Sequence, residues 1–350
     1  MLAVILVFSF PVQGISAHSA VLIDCATNRP LFSRLPDEKC LIASTTKIMT
    51  ALVVCEQCNV LDRMKIPKEA VGIEGSSIYL KEGEILTVQE LLYGMMLHSG
   101  NDAATALAIY CGGTVEGFVQ LMNDKARTLG LFNTHFENPH GLDGPQHYSS
   151  AHDLAILASY AMANPIFSKI VSTKTIGIGQ RSLRNHNKLL WLVDGADGVK
   201  TGYTKAAGRI LVSSACREGR RLVAVTIAAP DDWNDHKKLL EEGFLKYTAT
   251  EIIHEGQSLG TIEIAGGQEA TVELIAKSSF AYPLAKGEVP LICIPDGFVY
   301  APVAEGQEAG VACIYLAEHM IGKVNLEYGR TVEQQPEQSK TVLRKRLFGG

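Results

Sequence analysis

From Lys47 onward the apolar residues Ile48, Ala51, Leu52, Val54 and Cys55 recur at helical spacing, so the pattern predicts a helix with Ser44 at its N-terminus. Upstream, residues 19–23 and 30–32 are short β-like runs separated by a turn-rich segment, which predicts a hairpin at the start of a sheet. Residues 59–84 are mixed and glycine-rich and read as loop with short strands. Thr87-Val88-Gln89-Glu90 then has the form of a capping box, and Val88, Leu91, Leu92 and Met95 give the helix behind it an apolar face. That helix stops at His98-Ser99-Gly100-Asn101-Asp102, and residues 103–110 resume a helical pattern. Thr114 caps a further helix with Phe118, Leu121, Met122, Ala126 and Leu129 on one face and Gly130 at its end. Residues 131–149 read as an irregular loop, and Ser150 and Asp153 open another helix that runs to Ala163. This run, residues 87–163, reads as a helical lobe set into an α/β body, with no fixed-period repeat.

After Pro165 the period changes, and β-like runs dominate residues 171–228. One ends in Asp197-Gly198-Val199-Lys200-Thr201-Gly202, and the next two, 210–215 and 222–229, are joined by the hairpin-like turn Arg217-Glu218-Gly219-Arg220. Helical spacing returns at Leu239, Leu240, Phe244 and Leu245. Beyond residue 250 the runs 261–264, 270–276, 291–294 and 311–316 predict a small all-β domain over residues 250–336, after a body spanning 18–249.

Composition changes this picture little. The chain has 350 residues, 47% hydrophobic and 20% charged, which is enough for one large domain and a smaller one. A net charge of −5 with no basic stripe argues against nucleic acid as a partner. The first 23 residues contain no Asp, Glu, Lys or Arg, and residues 2–10 form an apolar block followed by Pro11 and small residues. Residues 1–17 therefore read as a secretory signal peptide with cleavage near Ala17 or Ala20, although its start lacks a basic residue and a buried first strand is the other reading. No other segment is long and apolar enough to span a membrane. At the opposite end, residues 337–350 combine Lys340, Arg344, Lys345 and Arg346 with Val342, Leu343, Leu347 and Phe348. This tail is a candidate for peripheral contact with an anionic membrane surface, or simply a frayed polar terminus. The eight scattered cysteines read mostly as small buried hydrophobes, with their redox state open. His98, His135, His140, His147 and His152 lack metal-binding spacing, so neither a metal nor an organic cofactor is expected.

Three polar clusters lie at the ends of predicted elements: Ser44 with Lys47, Ser99 with Asn101, and Lys200 with Thr201 and Gly202. Alone, Ser44 and Lys47 also fit an N-cap serine before a solvated lysine. In this order the three clusters resemble the S-x-x-K, S-x-N and K-T-G signature of the penicillin-binding proteins and serine β-lactamases. The stretches 43–56, 75–84, 91–108, 138–142 and 197–214 look closely like the low-molecular-mass D-alanyl-D-alanine carboxypeptidases, particularly those of Gram-positive spore formers. The resemblance runs from about residue 18 to the tail.

It implies an antiparallel sheet flanked by helices, an inserted helical lobe and a C-terminal β domain. It further implies an exported enzyme, at the cell wall or outer face of the cytoplasmic membrane, that cuts peptidoglycan stem peptides and is trapped by β-lactams. Ser44 would attack the carbonyl between two D-alanines while Lys47, neutral through burial and the nearby Lys200, takes its proton. Ser99 would relay that proton to the leaving nitrogen, and Asn101 would donate to the substrate backbone. Lys200, Thr201 and Gly202 would lie on an edge strand along which the substrate adds, with Lys200 and Thr201 holding its carboxylate and Gly202 leaving room. The N–H groups of Ser44 and Tyr203 would form the oxyanion hole.

Some relatives have an arginine near His186-Asn187-Lys188 and another where this chain has Asp231-Asp232-Trp233. His186 and Lys188 are therefore candidates for carboxylate contact beside the alternative of a solvated loop. The rival functions are a serine β-lactamase on the same fold, for which Glu137 is the only hint of an acid, and a catalytically idle peptidoglycan-binding protein. Endopeptidase action on cross-links is compatible with the same chemistry.

Overall fold

The computed structural model describes residues 14–336. The export signal read in residues 1–17 lies largely outside the described residues, and the tail 337–350 wholly so. The chain divides after Tyr247 into two compact units.

The first unit opens with β1 (Ser19–Asp24) and β2 (Pro30–Arg34), a 3-10 turn (Ala43–Thr46) and α1 (Lys47–Gln57). The small pair β3 (Arg63–Lys65) and β4 (Ile85–Thr87) precedes α2 (Val88–Leu97), α3 (Asn101–Gly112), α4 (Val115–Thr128), α5 (Ala151–Met162) and α6 (Pro165–Ser172). A second small pair, β5 (Thr175–Ile178) and β6 (Arg181–Arg184), is followed by α7 (Leu189–Leu192), β7 (Ala196–Thr204), β8 (Gly208–Arg217), β9 (Arg220–Ile227) and α8 (Asp232–Lys246). The main sheet is antiparallel, in the order β2-β1-β9-β8-β7, so β7 is an edge.

Local chemistry explains most of these boundaries. At α2, Glu90 N donates to Thr87 Oγ1 at 3.1 Å, and Thr87 N donates back to Glu90 Oε2 at 2.7 Å. Between β8 and β9, Arg217 faces Arg220, and the two turn residues Glu218 and Gly219 have φ of 51° and 79°, the geometry of a tight two-residue hairpin. Asn164 caps α6 by accepting from the N–H groups of Ile166 and Phe167, with Pro165 at the first helical position. The apolar pattern after Pro165 is thus helical for two more turns before the β pattern begins; β-branched Ile170 and Val171 disguise it. α1 also differs from a one-sided stripe, because Lys47 to Val54 are all buried. It is the central helix of the unit, enclosed by α2, α3, α4 and α5. α8 is pinned to the sheet by His236, whose ring nitrogens lie 2.6 Å from Ser213 Oγ and 2.9 Å from Thr226 Oγ1. Burial pushes this histidine down to about 3 and keeps it neutral.

The second unit contains β10 (Tyr247–Ile253), β11 (Ser258–Ala265), β12 (Thr271–Ala276), β13 (Phe280–Ala285), β14 (Leu291–Cys293), β15 (Phe298–Tyr300), β16 (Glu308–Leu316) and β17 (His319–Tyr328). Six of them form one sheet, β14-β16-β17-β12-β11-β15, while β10 pairs with β13. Val272, Leu274, Ala312 and Leu326 are fully buried in its core. The cysteines correct the sequence reading: all eight are free, seven are half-buried and Cys293 is exposed. Cys58 and Cys111, for example, stand at the far ends of α1 and α3, at the margin of the core rather than within it.

Candidate active site

Ser44 sits inside the 3-10 turn, one turn ahead of α1, and both intervening threonines brace that turn. Thr45 Oγ1 donates to Ile42 O at 2.6 Å, and Thr46 Oγ1 donates to Ala43 O at 2.8 Å. His147 completes the brace. Its Nδ1 accepts from Glu137 N at 3.0 Å, which leaves Nε2–H to donate to Thr46 Oγ1 at 2.7 Å. Burial pushes His147 down to about 4, consistent with this neutral form. The loop carrying His140 and Gly141 lies directly on the turn: a Cβ on Gly141, at φ 90°, would stand 1.9 Å from Ala43 O.

Lys47 is fully buried, and its Nζ has three neighbours: Asn101 Oδ1 at 2.7 Å, His140 O at 2.5 Å and Ser44 Oγ at 2.9 Å. Asn101 Nδ2 donates to Glu74 O at 2.6 Å, which fixes the amide with its oxygen toward the lysine. Burial, and after it the charge of Lys200, hold the Lys47 amine well below its ordinary value, opposed by Asp102. A neutral amine has two N–H donors and one lone pair. In the neutral form those two donors serve the two carbonyl oxygens and the lone pair faces Ser44 Oγ, whereas an ammonium would donate to all three.

Ser99 lies at the junction of α2 and α3 with φ 63°, in the left-handed region that a serine enters at a cost. Asp102 holds this corner by accepting from Ser77 Oγ at 2.6 Å and from the N–H groups of Ile78 and Leu80 at 3.1 and 3.0 Å. Arg181 ties the same loop to β6, donating to Ile78 O at 2.7 Å and to Glu84. In this structure Asn101 engages Lys47 and the Glu74 carbonyl.

On β7, Lys200, Thr201, Gly202 and Tyr203 face Val212, Leu211, Ile210 and Arg209 of β8. A Cβ on Gly202 would stand 3.2 to 3.3 Å from Ile42 O, Ala43 Cβ and Ser44 N, so the glycine lets the strand edge lie against the serine turn. Lys200 is 1% exposed and donates to Thr201 O at 2.9 Å. Burial lowers it from 10.5 to about 7.

A cleft of about 380 Å³ brings Ser44, Ser99, Thr201, Gly202 and Tyr203 together with His186 and Lys188. Lys47, Lys200 and Asn101 lie behind its wall, and Lys47 reaches Ser44 from there. Glu137 instead accepts from Gln146 N within its own loop. Sequence reasoning missed Ser76 and Arg209, which also line the cleft, and the supporting carbonyls of His140 and Glu74; Asp232 and Trp233, also in the lining, were legible only as a departure from the arginine of some relatives. The segment Asn138-Pro139-His140-Gly141-Leu142 is visible in the sequence, but a backbone carbonyl has no residue signature.

A serine turn beside a buried lysine, a serine corner between helices and an antiparallel edge strand define the class as a serine hydrolase with an attached β unit. The chain belongs to the D-alanyl-D-alanine carboxypeptidase family of S11 peptidases. That family's profile matches residues 7–231, and the profile of the penicillin-binding protein 5 C-terminal domain matches residues 247–334. The D-alanyl-D-alanine carboxypeptidase DacF of Bacillus subtilis is 35% identical over 312 residues, covering 84% of this chain and 80% of that protein. Among solved structures, penicillin-binding protein 5 from Haemophilus influenzae superposes with a TM-score of 0.79 at 31% identity, over 93% of this chain and all of that one. The Streptomyces K15 DD-transpeptidase gives 0.65 at 34% identity, over 67% of this chain and all of that one.

Proposed function

We propose that this enzyme removes the terminal D-alanine from peptidoglycan pentapeptide stems through an acyl-enzyme on Ser44. The observation that carries the mechanism is the placement of Lys47 Nζ within hydrogen-bond distance of Ser44 Oγ, Asn101 Oδ1 and His140 O, so that the neutral amine, with its two N–H groups on the carbonyl oxygens, turns its lone pair to Ser44. Ser44 Oγ attacks the penultimate D-alanine carbonyl as its proton passes to Lys47 Nζ. The developing oxyanion is held by the N–H groups of Ser44 and Tyr203. Ser99 then passes the proton to the leaving D-alanine nitrogen, and water hydrolyses the ester to free Ser44. The substrate lies along the β7 edge with its carboxylate toward Lys200 and Thr201. A β-lactam presents the same acyl group without a diffusible leaving amine and is held on Ser44 as a slow ester.

Substrate of this class places the enzyme outside the cytoplasm. The signal read in residues 1–17 serves that export; a cut at Ala17 leaves β1 whole, whereas one at Ala20 removes the first two of its six residues. The body is residues 18–249 and the β domain 250–336, and the basic and apolar tail 337–350 is offered as a peripheral contact with an anionic membrane. The test is mass analysis of products from a defined pentapeptide muropeptide, with and without penicillin. Loss of a single D-alanine, blocked by penicillin, is expected. Release of no D-alanine, or rapid turnover of the penicillin, would contradict the proposal.

A further inference from the structure

The helices α1 and α3 are joined at one end by a hydrogen bond of the catalytic site and meet at the other in a pair of cysteines. Lys47, the first residue of α1, donates through Nζ to Oδ1 of Asn101, the first residue of α3, at 2.7 Å. Cys58 caps the C-terminus of α1, and Cys111 lies in the last turn of α3. The segments from Lys47 to Cys58 and from Asn101 to Cys111 are almost equal in length, so helices rising ~1.5 Å per residue side by side bring the two cysteines level. Their thiols meet there in a hydrogen bond to each other. Beside them Tyr110 Oη donates to Asp62 Oδ2 at 3.0 Å, which holds the end of α3 to the loop that follows Cys58. Both cysteines are half-buried against the core, and exposed Gln57 and Asn59 flank Cys58, so the pair is reached from the surface.

Acyl transfer at Ser44 has no use for these thiols, which stand at the opposite helix ends. Two thiols in contact, one of them readily deprotonated, are what disulfide exchange requires. The Cys111 S–H donates to Cys58, which holds the Cys58 thiol below its ordinary value and raises that of Cys111. Cys55, one turn earlier on α1, is pushed up to about 12 by burial and stays a thiol. Cys58 is therefore the attacking sulfur and Cys111 the resolving one.

We infer that Cys58 and Cys111 are a site of disulfide formation that clamps the far ends of α1 and α3. The oxidant is a small disulfide, RSSR. The Cys58 thiolate attacks one of its sulfurs and expels a thiolate, which takes up the proton that Cys58 released. Cys111 then loses its proton and attacks Cys58 Sγ in the mixed disulfide, expelling the second thiolate, which takes up that proton. Two protein thiols are oxidised to one S–S bond, and RSSR is reduced to two RSH. The bond closes the chain from Cys58 to Cys111 into a loop that contains Ser76, the Ser99 corner and Asn101. Lys47 and Asn101 then face each other between helices tied at both ends. This goes beyond the carboxypeptidase reading and draws on it only for the compartment, since export from the cytoplasm is what keeps such a bond oxidised.

In the experiment the purified full chain is reduced with dithiothreitol, freed of reductant and exposed to glutathione disulfide, and remaining thiols are alkylated before digestion and mass analysis. Cys293 faces Cys313 across the β14–β16 ladder, so the loss of two thiols has to be located by peptide mapping. A Cys58 peptide joined to a Cys111 peptide is the predicted product. Recovery of both cysteines alkylated, of each capped by glutathione, or of Cys58 joined to Cys55 would overturn the inference. Thermal unfolding is compared in Cys293→Ser, which removes the pair in the β unit. There oxidation should raise Tm by roughly 5–15 °C, the scale of a native disulfide in a unit of this size. Adding Cys58→Ser or Cys111→Ser should abolish the shift, and an unshifted Tm in the linked protein would overturn the clamp. Enzyme that forms the link but releases no D-alanine would sink the carboxypeptidase reading and leave the disulfide standing; enzyme that releases D-alanine but never forms the link would do the reverse.

Discussion

Among the described residues Lys47 and Lys200 are two buried amines without an acidic partner within bonding distance, an arrangement that function explains and stability does not. Lys47 must be neutral to accept the Ser44 proton, so acylation by a chromogenic cephalosporin should quicken as pH rises through the depressed Lys47 value. Lys200 supplies part of that depression. In Lys200→Gln the ascending limb should therefore move to higher pH; an unmoved limb would show that the two amines do not sense each other. The stability consequence has a definite sign. With Lys200 at about 7 folded and near 10.5 unfolded, the unfolded chain binds the extra proton between those values, so stability rises with pH across that window. Lys200→Met should raise stability by roughly 1–4 kcal/mol, the scale for replacing buried charge by apolar volume. The gain should be largest below pH 7 and shrink toward pH 10, as measured by thermal unfolding across pH. The residue identities of Ser44, Lys47, Ser99, Asn101, Lys200, Thr201 and Gly202 are legible in the sequence because each belongs to a short spaced pattern. The pairing of Arg209 with Asp232 is not, because it depends on α8 packing back over β8, and no local spacing announces it.

At the scale of elements, the serine turn is fixed from two sides by glycines that play different parts. Gly141 meets Ala43 O too closely for any side chain and has φ 90°, so Gly141→Ala should displace the 138–142 loop, and with it the His140 carbonyl that orients Lys47. A loss of about 2–4 kcal/mol from overpacking and left-handed strain, together with loss of penicillin labelling, is expected. Gly202→Ala meets contacts of 3.2 to 3.3 Å, which a small shift of β7 relieves. Its stability should stay within about 1 kcal/mol of wild type, while acylation slows about 10- to 100-fold because the edge strand no longer meets Ser44 N in register. Wild-type acylation by folded Gly202→Ala would contradict that account. Caps and tight hairpins were the readable part at this scale: Thr87 with Glu90, Ser150 with Asp153, and the Arg217 to Arg220 turn each carry their own local chemistry. The 131–149 loop was readable only as irregular, since its order comes from side chains and carbonyls bonding across many residues, such as His147 to Thr46.

For the molecule as a whole, every residue of the candidate site lies in the first unit, and each unit has its own buried core. A chain ending at residue 249 should therefore keep D-alanine release from a soluble diacyl peptide within a few-fold of the full chain; loss of that activity in a folded truncation would assign the β unit a part in the chemistry. The division of the chain into an α/β body and a β unit is legible from the change of period near residue 250. The order of the strands is not, because it is set by pairings such as β12 with β17 and β11 with β15, which join segments far apart in the chain. The central claim is that a hydroxyl facing a neutral buried amine makes Ser44 the nucleophile. Peptide-mapped mass analysis after brief exposure to penicillin tests it most directly. An adduct on the peptide containing Ser44, absent in Ser44→Ala and in folded Lys47→Ala, is the predicted result; an adduct on any other residue, or one that persists in Ser44→Ala, would contradict it.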